Sequence, residues 1–138
     1  MQRLPIPPLT LETALEILQA AEDAWKARDP GKVALLCAPD CVWRAREALF
    51  QGRAAIEYFL RDKWAFESRH QIMKELWAYN NNRISVHFEC EWQHAGTNQW
   101  YRSHSNEHWE FDADGYMTRR DMSANDVPIP VNRPRIGH

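Results

Sequence analysis

One segment of the sequence, residues 99–112, alternates side-chain types with a period of two, which is the period of an extended strand. At about 3.3 Å per residue it would reach roughly 45 Å, more than twice the usual strand length. A sheet built on such a strand has to curl, and a curled sheet has an inner face. One face of the predicted strand carries Tyr101, Ser103, Ser105, Glu107, Trp109 and Phe111, and the other carries Trp100, Arg102, His104, Asn106, His108 and Glu110.

The remaining pattern predicts helices first and strands afterwards. Apolar spacing predicts a long helix from about Leu11 to Arg28 with buried positions Leu11, Ala14, Leu15, Leu18, Ala21 and Trp25, a short helix after Asp29, a strand over 41–46 followed by a loop, and a third helix over 54–66. Strands then follow over 70–79, 83–92, 99–112 and 116–125, joined by turns rich in Asn and Gly. We therefore predict an α+β fold in which a conical, curled antiparallel sheet packs on about three N-terminal helices.

Composition narrows the class of protein. The 138 residues, 44% hydrophobic and 26% charged, fit a single domain over 1–138 with an extended, Pro-rich tail over 127–138. The net charge of −2, with both signs interspersed, indicates no nucleic-acid or membrane partner. Three cysteines and no apolar leader indicate a cytoplasmic protein with reduced thiols.

The turn at Asn81 and Asn82 sets which side chains of the strand 70–79 face inward. With a two-residue turn, Glu75 lies opposite Phe88 and is the only acid in an apolar wall. A turn longer by one residue would place Lys74 there instead, because a shift of one residue exchanges the two faces of a strand. We prefer the first register, with Glu75 facing inward.

The last hairpin has a similar ambiguity. A type I turn with a Gly bulge over 112–115 places Glu107 beside Arg119 and Asp121, whereas without the bulge Glu107 faces Arg120. Either arrangement could be a structural ion pair or a site of proton transfer, since burial raises a carboxyl pKa toward neutrality.

Other chemistry is poorly supported by the sequence. His104 and His108 share a strand face, but about 13 Å separates positions four residues apart along a strand, too far for one metal ion. The sequence also contains no Gly-rich phosphate loop, nucleophile elbow or dinucleotide fingerprint. We predict neither a metal nor a cofactor.

Several short motifs resemble those of one family. They are Lys63-Trp64, Lys74-Glu75-Leu76-Trp77, Asn82-Arg83-Ile84, Glu91-Trp92, Trp100, Arg102-Ser103, Asn106-Glu107, Trp109-Glu110-Phe111-Asp112 and Asn125-Asp126. Together they resemble the bacterial group called domain of unknown function 1348, within the nuclear transport factor 2-like, or SnoaL-like, superfamily. This resemblance implies a conical α+β fold around a pocket, commonly in a homodimer, in a superfamily that includes cofactor-free isomerases, dehydratases and hydrolases as well as binding proteins.

These observations lead to one functional hypothesis and one alternative. The hypothesis is a cofactor-independent isomerase, lyase or hydrolase that binds a small, largely apolar molecule in a pocket lined by Trp43, Trp77, Phe88, Tyr101 and Trp109. Glu107 would be the general acid or base, Glu75 its partner, and Arg119 or Arg102 a stabiliser of negative charge, with Asp121 beside them. The alternative is a non-catalytic binding protein or dimeric interaction protein in which the acids are structural.

Overall fold

The computed structural model describes residues 1–130, apart from the side chains of residues 69 and 70. Residues 1–130 form three helices and six strands: α1 (Leu11–Lys26), α2 (Pro30–Ala34), β1 (Cys37–Ala45), β2 (Ala48–Gln51), α3 (Arg53–Phe66), β3 (Glu67–Tyr79), β4 (Arg83–His94), β5 (Trp100–Phe111) and β6 (Met117–Ile129). The predicted α+β architecture is confirmed. The short strand β2, where we expected a loop, was missed.

The six strands form one strongly curled sheet in the order β2-β1-β6-β5-β4-β3. β1 runs parallel to β6, so the sheet is mixed and not wholly antiparallel as predicted. The parallel pair is possible because α3 and four further strands lie between β1 and β6 in the chain, which gives ample length for the crossover.

Helix α1 lies against the inner face of the sheet through a narrow apolar stripe. Thr10 caps the helix by accepting a hydrogen bond from the Thr13 amide. The buried positions are Ala14, Leu18, Ala21 and Trp25. Leu11 and Leu15, which we expected to be buried, are 55% and 46% exposed, because they lie at the edge of this stripe.

One extra residue in β3 changes which side chains face inward. The predicted pairing of Tyr79 with Ile84 is present, but the register shifts at Trp77, after which Leu76 pairs with Val86 and Lys74 pairs with Phe88. The inward placement of Glu75 was therefore wrong, and Lys74 faces the core. Trp77, expected in a pocket wall, is 70% exposed.

A second extra residue has the same effect in β6. The predicted pairing of Phe111 with Met117 is present, but the register shifts between Glu110 and Phe111, so that Trp109 pairs with Arg120. Arg120 therefore faces inward, and Arg119, which we expected beside Glu107, is exposed.

The first residues of the predicted tail belong to β6. Val127, Pro128 and Ile129 pair with β5, beyond the last β1 partner of β6 at Met122. Pro128 thus lies where the strand has a neighbour on one side only, a position that tolerates a missing amide donor. The rest of the tail, 131–138, lies outside the described residues. Within residues 1–130, no helix is long and apolar enough to span a membrane.

A matched test of this packing compares a buried leucine of α1 with an exposed leucine of the same helix. Leu18→Ala should lower the free energy of unfolding by about 2–5 kcal/mol, because Leu18 is buried and its removal leaves a cavity. Leu15→Ala makes the same chemical change in the same helix and should cost under about 1 kcal/mol. Urea denaturation of both variants measures this; equal losses would contradict the orientation of α1.

Candidate functional site

Three charged side chains meet inside the curled sheet. Glu107 of β5 has none of its surface exposed, the Lys74 side chain of β3 is 2% exposed, and the Arg120 side chain of β6 is 3% exposed. β5 is flanked by β4 and β6, and Lys74 reaches across from the strand beyond β4. We call Lys74, Glu107 and Arg120 the charged cluster.

The two oxygens of the Glu107 carboxylate have different partners, and only one of them accepts hydrogen bonds. Its Oε1 accepts hydrogen bonds from Arg120 Nε at 2.6 Å and from Trp109 Nε1 at 2.9 Å. Its Oε2 lies 3.5 Å from Lys74 Nζ and has no hydrogen bond of ordinary geometry. The Glu107–Arg120 contact is therefore the stronger of the two.

Aromatic rings surround the two cations. Lys74 Nζ lies 5.1 Å from the ring centres of Trp25 and Phe88 and 5.4 Å from that of Trp109. The Arg120 guanidinium lies 5.1 Å from Trp25 and 4.6 Å from Trp43. These distances are within the range of cation–π attraction, and the rings also keep water away from the charges.

The charges shift one another's pKa values. Burial alone would raise the pKa of Glu107, but the positive charges of Arg120 and Lys74 and the hydrogen bond from Trp109 outweigh it and hold that pKa at about 2. Burial lowers the pKa of Lys74, and Arg120 adds to this effect, while the charge of Glu107 opposes it. Glu107 therefore stays ionised, and the proton of Lys74 is easier to remove than that of an exposed lysine.

Two buried donors near the cluster have no hydrogen-bond acceptor. They are Nη1 of Arg120 and Nε1 of Trp43. A cavity of about 20 Å³ is lined by both residues together with Lys74, Glu107 and Cys37, which is room for about one water molecule. An unpartnered buried donor is costly, so an oxygen atom in this cavity would be stabilised.

A second cavity, which we call the outer cavity, adjoins this first, inner cavity. It has a volume of about 50 Å³ and shares Ala21, Leu36, Trp109 and Met117 with the inner cavity. Its outer wall is formed by residues 3–5, which the chain holds in place by a hydrogen bond of 2.6 Å from the Arg3 amide to the Asp114 carbonyl. The outer cavity is thus bounded by the N-terminal segment, and its lining is mainly apolar, with Arg3 and Glu16 as its charged residues.

The structure brings together only part of the predicted site. Of the predicted site residues, Glu107, Trp43, Phe88 and Trp109 lie at the charged cluster. Asp121 lies outside, paired with Arg44, and Tyr101 is stacked on Trp92 at 4.7 Å. Arg102 pairs across the sheet with Glu91 of β4, on the face of β5 opposite Glu107.

Lys74, Arg120 and Trp25 were missed as site residues. The sequence did offer signals for them, since Lys74 and Arg120 were the alternatives in the two ambiguous registers and Trp25 lay on the predicted apolar stripe of α1. Among the described residues, no group of three or more His, Cys, Asp or Glu is arranged to hold a metal ion.

Removing the charge of Glu107 should destabilise the fold. Glu107→Gln leaves Arg120 and Lys74 without an anion in a dry interior, so we expect a loss of about 3–5 kcal/mol in the free energy of unfolding. Glu110→Gln breaks a half-exposed pair with Arg83 on the same strand and should cost under about 1 kcal/mol. Similar losses in urea denaturation would argue against a buried charged cluster.

The same carboxylate should make stability depend on acid. Its pKa is about 2 in the folded protein against an ordinary value of 4.5, so its contribution is complete above pH 4.5 and is lost as the pH falls toward 2. The difference corresponds to roughly 3 kcal/mol. Urea denaturation between pH 7 and pH 2.5 should show this loss, and Glu107→Gln should lack that part of the pH dependence; identical pH profiles would contradict the low pKa.

Similar solved structures show the same fold at low sequence identity. The epoxide hydrolase/cyclase-like enzyme SalBIII, described in pyran ring formation in polyether salinomycin, is 10% identical with a TM-score of 0.75, covering 86% of this chain and 97% of that one. A nuclear transport factor 2-like protein of unknown function from Burkholderia pseudomallei is 14% identical, with a TM-score of 0.73 and coverage of 81% and 90%. A proposed isomerase from Bacillus subtilis is 20% identical, with a TM-score of 0.70 and coverage of 83% and 87%.

Sequence comparison identifies the family. None of the curated proteins matches the chain. A family model described as a protein of unknown function, DUF1348, matches residues 7–136, which is nearly the whole sequence. The resemblance predicted from the short motifs is confirmed. This chain therefore belongs to the DUF1348 family and has the nuclear transport factor 2-like fold.

Proposed function

We propose that this protein is a cofactor-independent acid–base enzyme, an isomerase, lyase or hydrolase, that moves a proton within a small, largely apolar molecule. One observation carries the proposal. The buried amine of Lys74 lies 3.5 Å from Glu107 and lines the same cavity as Arg120, whose Nη1 has no acceptor. A base, an anion and a free donor are thus grouped in a buried site.

Lys74 takes the role of general base in this proposal. A base must exchange protons near neutral pH, and burial moves the pKa of Lys74 downward, in that direction. Glu107, which we expected to act as the acid or base, is unsuited to it because a carboxylate with a pKa of about 2 binds protons weakly. Glu75 is unsuited because it is exposed on the outer face.

Arg120 and Glu107 support the proton transfer in different ways. Removing a proton from a carbon atom next to a carbonyl group places negative charge on the carbonyl oxygen, and the free Nη1 of Arg120 is a donor for that oxygen. Glu107 holds Arg120 through Nε and therefore acts as a positioning residue.

The surroundings of the cluster indicate the substrate class. The outer cavity is lined mainly by apolar side chains, among them Leu4, Ile17, Phe111 and Met117. A ligand with a short apolar body and one polar oxygen would match both cavities. The similar fold of an epoxide hydrolase/cyclase-like enzyme and of a proposed isomerase also supports an enzyme.

A second candidate function is ligand binding without catalysis. It is supported by the small inner cavity of about 20 Å³ and by the tight Glu107–Arg120 pair, which would brace the sheet of this protein with or without catalysis.

In either case a homodimer stays a proposal. Met73 and Trp77, exposed on β3, support it because large exposed apolar side chains often mark an interface.

Proton exchange tests the enzyme proposal without knowledge of the substrate. In D₂O the wild-type protein should speed deuterium exchange at carbon atoms next to the carbonyl group in small apolar ketones, followed by nuclear magnetic resonance. Lys74→Met keeps an unbranched side chain, one atom shorter and without the amine, and should slow this exchange by about 10²-fold or more, because the base is lost.

Glu75→Gln is the matched control, since it changes the next residue of the same strand on its outer face and should leave exchange unchanged. Equal rates in wild type and Lys74→Met would overturn the role of Lys74. If wild type accelerates no ketone of the panel, the binding function is preferred.

A further inference from the structure

We propose that Lys74 is also a nucleophile, whose amine forms an imine with a small aldehyde or ketone that places its carbonyl group in the inner cavity and its apolar body in the outer cavity. This inference rests on the proposed function in one respect, the availability of an uncharged amine at Lys74. It adds a covalent step and names the substrate class as carbonyl compounds.

The first argument is the place of Lys74 among the lysines of the chain. The sequence contains four, Lys26, Lys32, Lys63 and Lys74. The Lys63 side chain is 12% exposed, but its Nζ lies 2.5 Å from the Glu67 carboxylate, which holds it as a charged donor. Lys74 is more deeply buried, at 2% exposed, and its carboxylate partner is 1.0 Å farther away, at 3.5 Å. A loosely paired amine in a dry site can lose its proton and attack carbon.

The second argument is that the residues around Lys74 are compatible with the imine. Imine formation joins the Lys74 nitrogen to the carbonyl carbon, and the carbonyl oxygen leaves as water with the two hydrogens of the amine. No oxidant or reductant is needed. When the imine is protonated it carries one positive charge, as the ammonium group does, and the rings of Trp25, Phe88 and Trp109 at 5.1–5.4 Å remain suited to a cation there.

The third argument concerns the oxygen that leaves. The cavity lined by Lys74 is also lined by Arg120 and Trp43, each with a buried N–H group that has no acceptor. Such a group can donate to the carbonyl oxygen while the nitrogen attacks, and this stabilises the negative charge that develops on the oxygen. The two cavities, of about 20 and 50 Å³, limit the partner to a short chain.

Reductive trapping on the wild-type protein tests the inference. The folded protein is treated at neutral pH with propionaldehyde and sodium cyanoborohydride, which converts an imine into a stable propyl amine, and peptide mass spectrometry compares the four lysines over time. Lys74 should gain its propyl group at least about tenfold faster than Lys26, because burial lowers the pKa of the Lys74 amine and so leaves more of that amine neutral and nucleophilic. In urea the two rates should become equal.

Labelling of Lys74 at or below the rate of Lys26 in the folded protein would overturn the inference. A second comparison uses Lys63, which is partly buried but tightly paired and should label more slowly than Lys74; the reverse order would also overturn the inference. Because the lysines are compared within the wild-type chain, no variant has to fold.

The trapping experiment and the deuterium exchange test the two proposals independently of each other. If exchange depends on Lys74 but no propyl adduct forms there, the imine is wrong and the acid–base function stands. If the adduct forms without any exchange activity, the nucleophile stands and the proposed proton transfer is wrong.

Discussion

The interior of this protein is organised by the need to keep one carboxylate charged without water. Glu107 has no exposed surface, and an isolated buried carboxylate would cost several kcal/mol. The fold supplies Arg120 from the strand on one side, Lys74 from two strands away on the other, and Trp109 from the same strand. The aromatic rings around the two cations then exclude solvent, which strengthens each of these contacts.

The architecture could be predicted from sequence because it depends on patterns that extend over many residues. The alternation over 99–112 gave β5 and its buried face correctly, from Ser103 through Glu107 to Phe111. The parallel pairing of β1 with β6 could not be predicted, because it joins segments distant in the chain and leaves no local signal. The short strand β2 was missed for a similar reason, since four residues are too few for a periodic pattern.

The charged cluster was only partly predictable, for a specific physical reason. Tyr79–Ile84 and Phe111–Met117 pair as predicted at the ends of their hairpins, but one extra residue in each hairpin, Trp77 in β3 and another early in β6, then shifts the register. Because side chains alternate faces, each shift exchanges neighbours: Lys74 replaces Glu75, and Arg120 replaces Arg119. The sequence therefore identified the two pairs of candidates, while the choice within each pair depended on bulges that have no reliable sequence signal.

The balance of charge inside the sheet links stability to the proposed chemistry. If Lys74 is neutral, Glu107 and Arg120 neutralise each other, and the cluster carries no net charge. The 2.6 Å contact between them is then a structural brace, and Lys74 is not needed to balance it. When Lys74 takes a proton from a substrate, the positive charge gained by the amine is matched by the negative charge left on the substrate, so the interior remains neutral throughout. A tightly paired Glu107–Arg120 brace is therefore compatible with catalysis, because it leaves Lys74 free to change its charge.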